Sequence, residues 1–330
     1  MVLRSMPAPA WLGPDAPEAD VVVSSRVRMA RNLRGLRFPH HAPPDELNES
    51  LTIIESAIVA TDVAGHAYRR MTDAERDYLV GCRLISPDFP YRAPHRAAYL
   101  DTRRMLSVMV NEEDHLRLQT LTAGWSLDAA DAAARQATQR LSRALPFAYA
   151  VPWGFLTASP SNRGSGKRTS AMFHLIGLAH ARRLQSVLSA LAARGIHVRG
   201  LFGEQSRAVG AFFQVSQLGE SAVDLAGAGE YLLEAERATR RELPANELAR
   251  RAREAVRFAV RSTEMGLEDA LKVLAWVRWA ASASVLPIDF RQVDLWVSTM
   301  EVRGSQEERV SMVERATFLR DRLEACLVPK

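Results

Sequence analysis

The chain has 330 residues, 47% of them hydrophobic and 25% charged, with a mean hydropathy of −0.13. That is enough apolar material for a sizeable core and excludes intrinsic disorder, a collagen-like repeat and a disulfide scaffold. The net charge of +5 permits anionic partners without demanding nucleic acid, and of 43 Lys plus Arg residues only Lys167, Lys272 and Lys330 are lysine.

Residues 1–20 carry Pro7, Pro9, Pro14 and Pro17 among acids, which reads as a Pro-rich segment rather than a secretion signal. Asp20 to Arg28 opens with a β-branched run and predicts a strand. Leu51 to Val59 places Leu51, Ile54 and Ile58 on one helical face. Met105 to Asn111 predicts a second strand, ending at Glu112-Glu113-Asp114. Ser126 can cap a helix striped by Leu127, Ala130, Ala134, Ala137, Leu141 and Leu145. A short strand at Gly154 to Thr157 and a loop from Ser159 to Lys167 precede a long predicted helix, about Thr169 to Arg194, closed by Gly195. His197 to Leu201 and Ala211 to Ser216 read as strands around Gly203 and Gly210. From Val223 every segment reads as helix, broken at Pro244 and Pro287. Residues 21–240 thus form a mixed domain of helices and strands, and residues 241–330 a helical one. Cys82 and Cys326 lack metal-ligand spacing, and no apolar run reaches the roughly 18 residues of a membrane span. A soluble cytoplasmic protein, with no membrane or nucleic-acid partner, is the simplest expectation.

Four places combine charge with tight geometry. Arg26 and Arg28 are two apart on a predicted strand, so both leave one face, and two guanidinium groups there repel unless an anion lies between them. A solvated edge strand is the plainer alternative. Glu112-Glu113-Asp114-His115 at a strand end needs a cation or a shared proton, or else marks a helix N-terminus, where acids suit the dipole; physics alone favours the helix. Ser159 to Arg168 has the small residues of an anion loop before a helix, yet Ser161 stands where a P-loop needs Gly and Arg168 where it needs Ser or Thr, which rejects a Walker-type NTPase. Arg199-Gly-Leu-Phe-Gly-Glu204 adds a cation and a carboxylate in a turn. Together these suit in-line phosphoryl transfer, where catalysis is positioning and charge neutralisation.

Val110-Asn-Glu-Glu-Asp-His-Leu-Arg117 resembles the NEEDH signature of the guanidino phosphotransferases, which include creatine and arginine kinases. Ser24-Ser-Arg-Val-Arg28, the stretch from Ser159 to Met172 and Arg199 to Glu204 follow in the family's order. The likeness is greatest to the bacterial protein-arginine kinases, through SSRVRMARNLRGLRFP, LISP at 84–87, VRGLFGE and FFQVSQ, and weakens in the last third. It implies an α+β fold, a large antiparallel sheet flanked by helices, followed by an all-α C-terminal domain. It implies that Arg26, Arg28, Arg117, Arg168 and Arg199 clamp the phosphates of ATP, within nucleotide-binding runs Ser24, Ser25, Val27; Thr169, Ser170, Ala171, Met172; and Gly200, Leu201, Phe202, Gly203. Glu113 would orient the substrate guanidinium and take its proton, Glu204 would hold the other side, and Glu112 would organise Mg2+ through water, with no direct protein ligand to the metal. Ser159, Asn162, Gln205 and Ser206 would lie in substrate loops.

The resemblance further implies transfer to arginines of proteins, with an activator protein, protease-chaperone machinery and a homodimer through the C-terminal helices. The SSRVR element starts at Ser24, leaving no room for the helical domain that closes over small substrates in creatine and arginine kinases. Departures matter. Ser159 replaces a reactive cysteine, Arg83 replaces a histidine before LISP and can stack on adenine, and Gln205-Ser206-Arg207 alters the acceptor loop. Ser311 to Ala316 lacks the leading Arg-Asp of the family's RDxxRA phosphoarginine motif, so that pocket is expected to be absent or rebuilt. The competing readings are a kinase of a free guanidino compound and a non-catalytic phosphoarginine- or nucleotide-binding regulator.

Overall fold

Val22–Arg31 (β1) is a ten-residue strand at the centre of an eight-stranded sheet. The computed structural model describes residues 8–13, 16–200, 209–218, 224–301 and 307–327. The other strands are His66–Tyr68 (β2), Ala97–Leu100 (β3), Leu106–Val110 (β4), Leu116–Ala123 (β5), Lys167–His174 (β8), His197–Gly200 (β9) and Phe212–Leu218 (β10), in the order β2-β3-β4-β5-β1-β8-β10-β9. Every neighbouring pair is antiparallel. Tyr149–Ala150 (β6) and Gly154–Phe155 (β7) form a separate hairpin. This is the antiparallel sheet of the expected α+β fold.

Alternation along β1 sorts its two faces. Val27 and Met29 face Pro44–Thr61 (α1) and Leu127–Ser142 (α3), joining Leu118, Val108, Ile54, Ile58, Ala130, Ala134 and Leu141 in one buried cluster. Arg26 and Arg28 leave by the other face. The expected stripe of α3 is the buried one, although Ser126 makes no side-chain cap and instead donates its N–H to Ser25 Oγ at 2.9 Å.

Two expectations from local pattern fail. The long helix from Thr169 to Arg194 is instead β8 followed by Ile176–His180 (α4) and Leu184–Ala193 (α5). Residues 168–173 bond β1 on one side and β10 on the other, and this two-sided ladder outweighs a helical period that belongs only to the residues after 175. The acid cluster is not a helix N-terminus either. It is the turn joining β4 to β5, closed by Asn111 N–H to the His115 carbonyl at 3.0 Å, with Asn111 left-handed at φ 56°.

Asp73–Gly81 (α2), and the helices Leu225–Glu242 (α6), Ala245–Arg261 (α7), Leu267–Ser282 (α8), Phe290–Thr299 (α9) and Glu308–Leu323 (α10), complete the described elements. The C-terminal helices share one apolar cluster with the sheet, running from Trp11 and Phe173 through Leu274 to Leu319. Gly81 lets α2 meet the end of α9: a Cβ there would sit 1.9 Å from the Ser298 carbonyl oxygen. Arg278 of α8, with no exposed surface, pairs with Asp294 of α9 at 2.6 Å and donates to the Ala19 and Asp20 carbonyls at 2.8 and 2.7 Å, just before β1. Arg278→Ala strands a buried carboxylate and two carbonyls. We expect it to lower stability by about 3–5 kcal/mol, read as an earlier denaturant midpoint.

Candidate active site

The arginine-bearing face of the sheet floors a cavity of about 910 Å³. Strand register explains the clustering. Arg28 lies opposite Gln119 of β5 and Arg168 of β8, Ala30 lies opposite Arg117, and Arg199 of β9 lies opposite Gln214 of β10. All of these residues line the cavity. Five arginines that are distant in the chain therefore share one wall because antiparallel pairing puts every second residue on it.

The electrostatics are those of a site short of negative charge. Burial, and then the charges of Arg117, Arg83 and Arg168, bring Arg26 down to about 9. Burial followed by Arg26, Arg117 and Arg168 depresses Arg28 well below the ordinary arginine range. Arg168 is lowered by burial, then by Arg199 and Arg117. Among the described residues Arg26 donates to the neutral Gln214 amide alone, and the Nε atoms of Arg28 and Arg168 are buried without a partner. Guanidinium groups do not shed protons in proteins, so the depression expresses the cost of burying these cations and then of crowding them. Unpartnered donors converging on one wall fit the phosphate chain of ATP.

Acids sit at the edge of this wall. Glu112 takes two bonds from Arg117, at 2.6 and 2.8 Å, and one from the Ser86 hydroxyl. Burial pushes its carboxyl up, but Arg117 and Ser86 more than offset that and leave it below the ordinary value. Glu113 has no such partner among the described contacts, and its carboxyl is raised by burial, then by Asp114 and Glu112. Two adjacent carboxylates are thus pushed apart, one fixed as an anion and one made more basic, which is the usual preparation for proton transfer. The described residues contain no cluster of three His, Cys, Asp or Glu able to hold a metal. A magnesium ion bound chiefly by phosphate oxygens and water fits this donor set, with Glu112 beside it.

The structure gathers Arg26, Arg28, Arg83, Glu112, Glu113, Arg117, Asn162, Arg168, Met172, Arg199 and Gly200 at the cavity. Ser24, Ser25, Val27, Thr169, Ser170 and Ala171 are not on its lining. Val27 packs on the opposite side of the sheet, and the Ser25 hydroxyl bonds the Gly124 carbonyl at 2.8 Å. A nucleotide-binding run on a strand offers only alternate side chains to its ligand. The Ser159 hydroxyl meets that of Ser161 at 2.8 Å, and Ser159 is not on the lining. Leu201, Phe202, Gly203, Glu204, Gln205, Ser206 and Arg207 lie outside the described residues. Arg315 is buried and bonds Glu301 and the Met265 carbonyl, at 2.8 and 2.6 Å.

Other residues of the site carry no motif. Gln119 Nε2 donates to the Arg83 and Leu84 carbonyls, both at 2.7 Å, holding the left-handed Arg83. The Arg83 guanidinium lies 4.3 Å from the ring centre of Trp11, a fully buried side chain from the Pro-rich segment. Asp294, Val297 and Ser298 of α9, with Glu301 after it, supply another wall. Strand alternation could have revealed Gln119 and Gln214. Nothing local marks Trp11 or α9.

A family model described as ATP:guanido phosphotransferase, C-terminal catalytic domain, matches residues 51–226. A protein-arginine kinase of Desulforamulus reducens is 40% identical over 64% of this chain and 61% of its own length. That of Symbiobacterium thermophilum is 32% identical over 96% of both chains, and that of Bacillus subtilis 36% identical over 70% of this chain and 67% of its own. The alignment thus spans about three fifths of the first of these relatives and nearly all of the second. A lombricine kinase structure superposes with a TM-score of 0.57 at 22% identity, covering 73% of this chain and 74% of that one, a likeness of fold.

Arg168→Met removes one of two opposed cations. Without nucleotide the variant is expected to melt at the same temperature as the parent or higher, whereas the stabilisation by ATP, about 2.7 kcal/mol at a hundredfold excess over Kd, shrinks. Calorimetry reads both.

Proposed function

The chain belongs to the ATP:guanido phosphotransferase family, and from that membership we propose that it is a protein-arginine kinase, moving the γ-phosphoryl group of ATP onto the guanidinium of arginine side chains in proteins. The observation that carries the chemistry is the convergence of five arginines and Glu113 on one cavity. The names of the relatives support a protein as acceptor.

In this reading Arg26, Arg28, Arg117, Arg168 and Arg199 hold the phosphate chain in line with the acceptor. They neutralise charge as it spreads over the transferring group, and the protein reorganises little because these donors are already fixed by the sheet. Mg2+ would be held chiefly by the nucleotide, with Glu112 the nearest candidate to steady it through water, and would supply charge neutralisation to the phosphates. A protonated guanidinium has no lone pair to attack with, so a base must act. Glu113 aligns the attacking nitrogen and accepts its proton as the N–P bond forms and the P–O bond to ADP breaks. Arg83, backed by Trp11, offers a planar cation to the adenine base. Glu204, outside the described residues, would flank the acceptor from the other side.

The alternatives are transfer to a free guanidino compound and nucleotide binding without transfer. Incubation with Mg-ATP and a denatured protein, followed by phosphosite mapping, separates all three. Acid-labile phosphate on protein arginines supports the proposal, phosphate only on a free guanidino compound replaces it, and ATP binding without transfer leaves a regulator. Glu113→Gln is expected to slow transfer at least 100-fold while ATP still binds. Because the Glu113 carboxyl is raised, its base form is lost as pH falls through a value above the ordinary glutamate pKa of about 4.3. The acid limb of the kcat/KM profile is expected there, and a limb at or below the ordinary value counts against Glu113 as the base.

A further inference from the structure

We propose that Asn32 is a positioning residue for the transfer, tying the turn that carries Glu113 to the chain leading into the acceptor loop, Ser159 to Lys167. It rests on the reading of Glu113 as base. Asn32 follows β1 directly and is 1% exposed. Its Oδ1 accepts the His115 N–H at 2.9 Å, and its Nδ2 donates to Asp114 Oδ1 at 2.5 Å and to the Leu156 carbonyl at 3.1 Å. Its own carbonyl accepts the Ala148 N–H at 2.8 Å. The same Asp114 oxygen accepts the Ala158 N–H at 2.7 Å, one residue before Ser159. The next residue, Leu33, donates its N–H to His115 Nδ1 at 3.2 Å.

The chemistry of the site selects a carboxamide. One end must receive a backbone N–H while the other gives two hydrogens, one to a carboxylate and one to a carbonyl. Among the twenty side chains only Asn and Gln carry that pair of ends, and the shorter fits without displacing the backbone. Aspartate in its place would set two carboxylates together and leave the Leu156 carbonyl unanswered. The consequence is geometric. Glu113 precedes Asp114 by one residue, and Asn162 follows Ala158 by four and lines the same cavity. Asn32 therefore fixes the spacing between base and acceptor loop, and an error of an ångström there is felt in the rate rather than in nucleotide binding.

The test uses the full chain with Mg-ATP and a denatured protein acceptor, with rates expressed per ATP site counted by calorimetry. In Asn32→Asp, kcat is expected to fall on the order of 100-fold with ATP affinity unchanged. Adding Asp114→Asn returns a donor to the pair and is expected to recover part of the rate. Asn32→Ser, which introduces no charge, is expected to fall in the same way and stands in if the aspartate variant does not fold. An unchanged kcat per site in either variant overturns the proposal, as does a loss of ATP sites that accounts for the whole fall. Glu113→Gln, run in parallel, separates the two ideas. If it abolishes transfer while the Asn32 variants do not, only the role of Asn32 fails. If it transfers normally, the base assignment fails and the positioning role with it.

Discussion

Arg28 faces Arg168 across the β1–β8 ladder, and that unfavourable opposition is the constraint on which the rest of the molecule depends. Like charges directly opposite on a sheet repel, and burial deepens the cost. The opposite face supplies the compensation. Val27, Met29 and Leu118 lock beneath α3 and α1, and a one-residue slip of β1 would turn its arginines into that apolar layer. The register that keeps the hydrophobic face dry is the same register that lines up the cations. A polyanion placed between the two would relieve that repulsion.

The acids are arranged by a second economy of contacts. The Glu112–Glu113 turn is anchored at both ends by side chains other than the glutamates. Asn111 donates to the Leu47 and His95 carbonyls at 2.8 and 2.7 Å and accepts from the Ser50 hydroxyl, while Asp114 and His115 hold to Asn32. Burial lowers the imidazole of His115 to about 4, so at neutral pH it stays uncharged and its Nδ1 serves as an acceptor. The glutamates are left to their different surroundings: Glu112 is neutralised by Arg117, and Glu113 is kept basic by burial and then by its acidic neighbours. Fixing a turn through its flanks leaves its centre for chemistry.

The segment before β1 and α9 meet beside the cavity. Trp11 backs Arg83, and Arg278 clamps the segment before β1 to α9, whose residues face the same space as the arginine wall. Arg240 reinforces this joint through Glu236, the Asp20 carbonyl and the His174 carbonyl. These arginines are structural: their forks satisfy buried carbonyls and carboxylates that a lysine ammonium would cover less completely. The arginine excess thus divides three ways, into the cavity wall, a buried set that joins segments, and a surface majority for which compositional bias is sufficient.

The sequence by itself determined whatever obeys a short period or a compact motif. The period of two in Arg26-Val27-Arg28 already put both cations on one face, the stripe of α3 already named its buried side, and NEEDH already named the acids. It misread residues 168–173, because a strand bonded on both sides is stabilised by partners some 40 to 150 positions away, whereas the apolar period of the following residues is local. It misread the acid turn for the same reason, since what makes it a turn is β5 returning beside β4. It could not find Trp11, Asn32 or Asp294, which belong to the site only through contacts closed in three dimensions. The tertiary structure decided which alternate residues of each strand share a wall. Side-chain direction is a local property, but which strands lie side by side depends on burying the whole hydrophobic face at once.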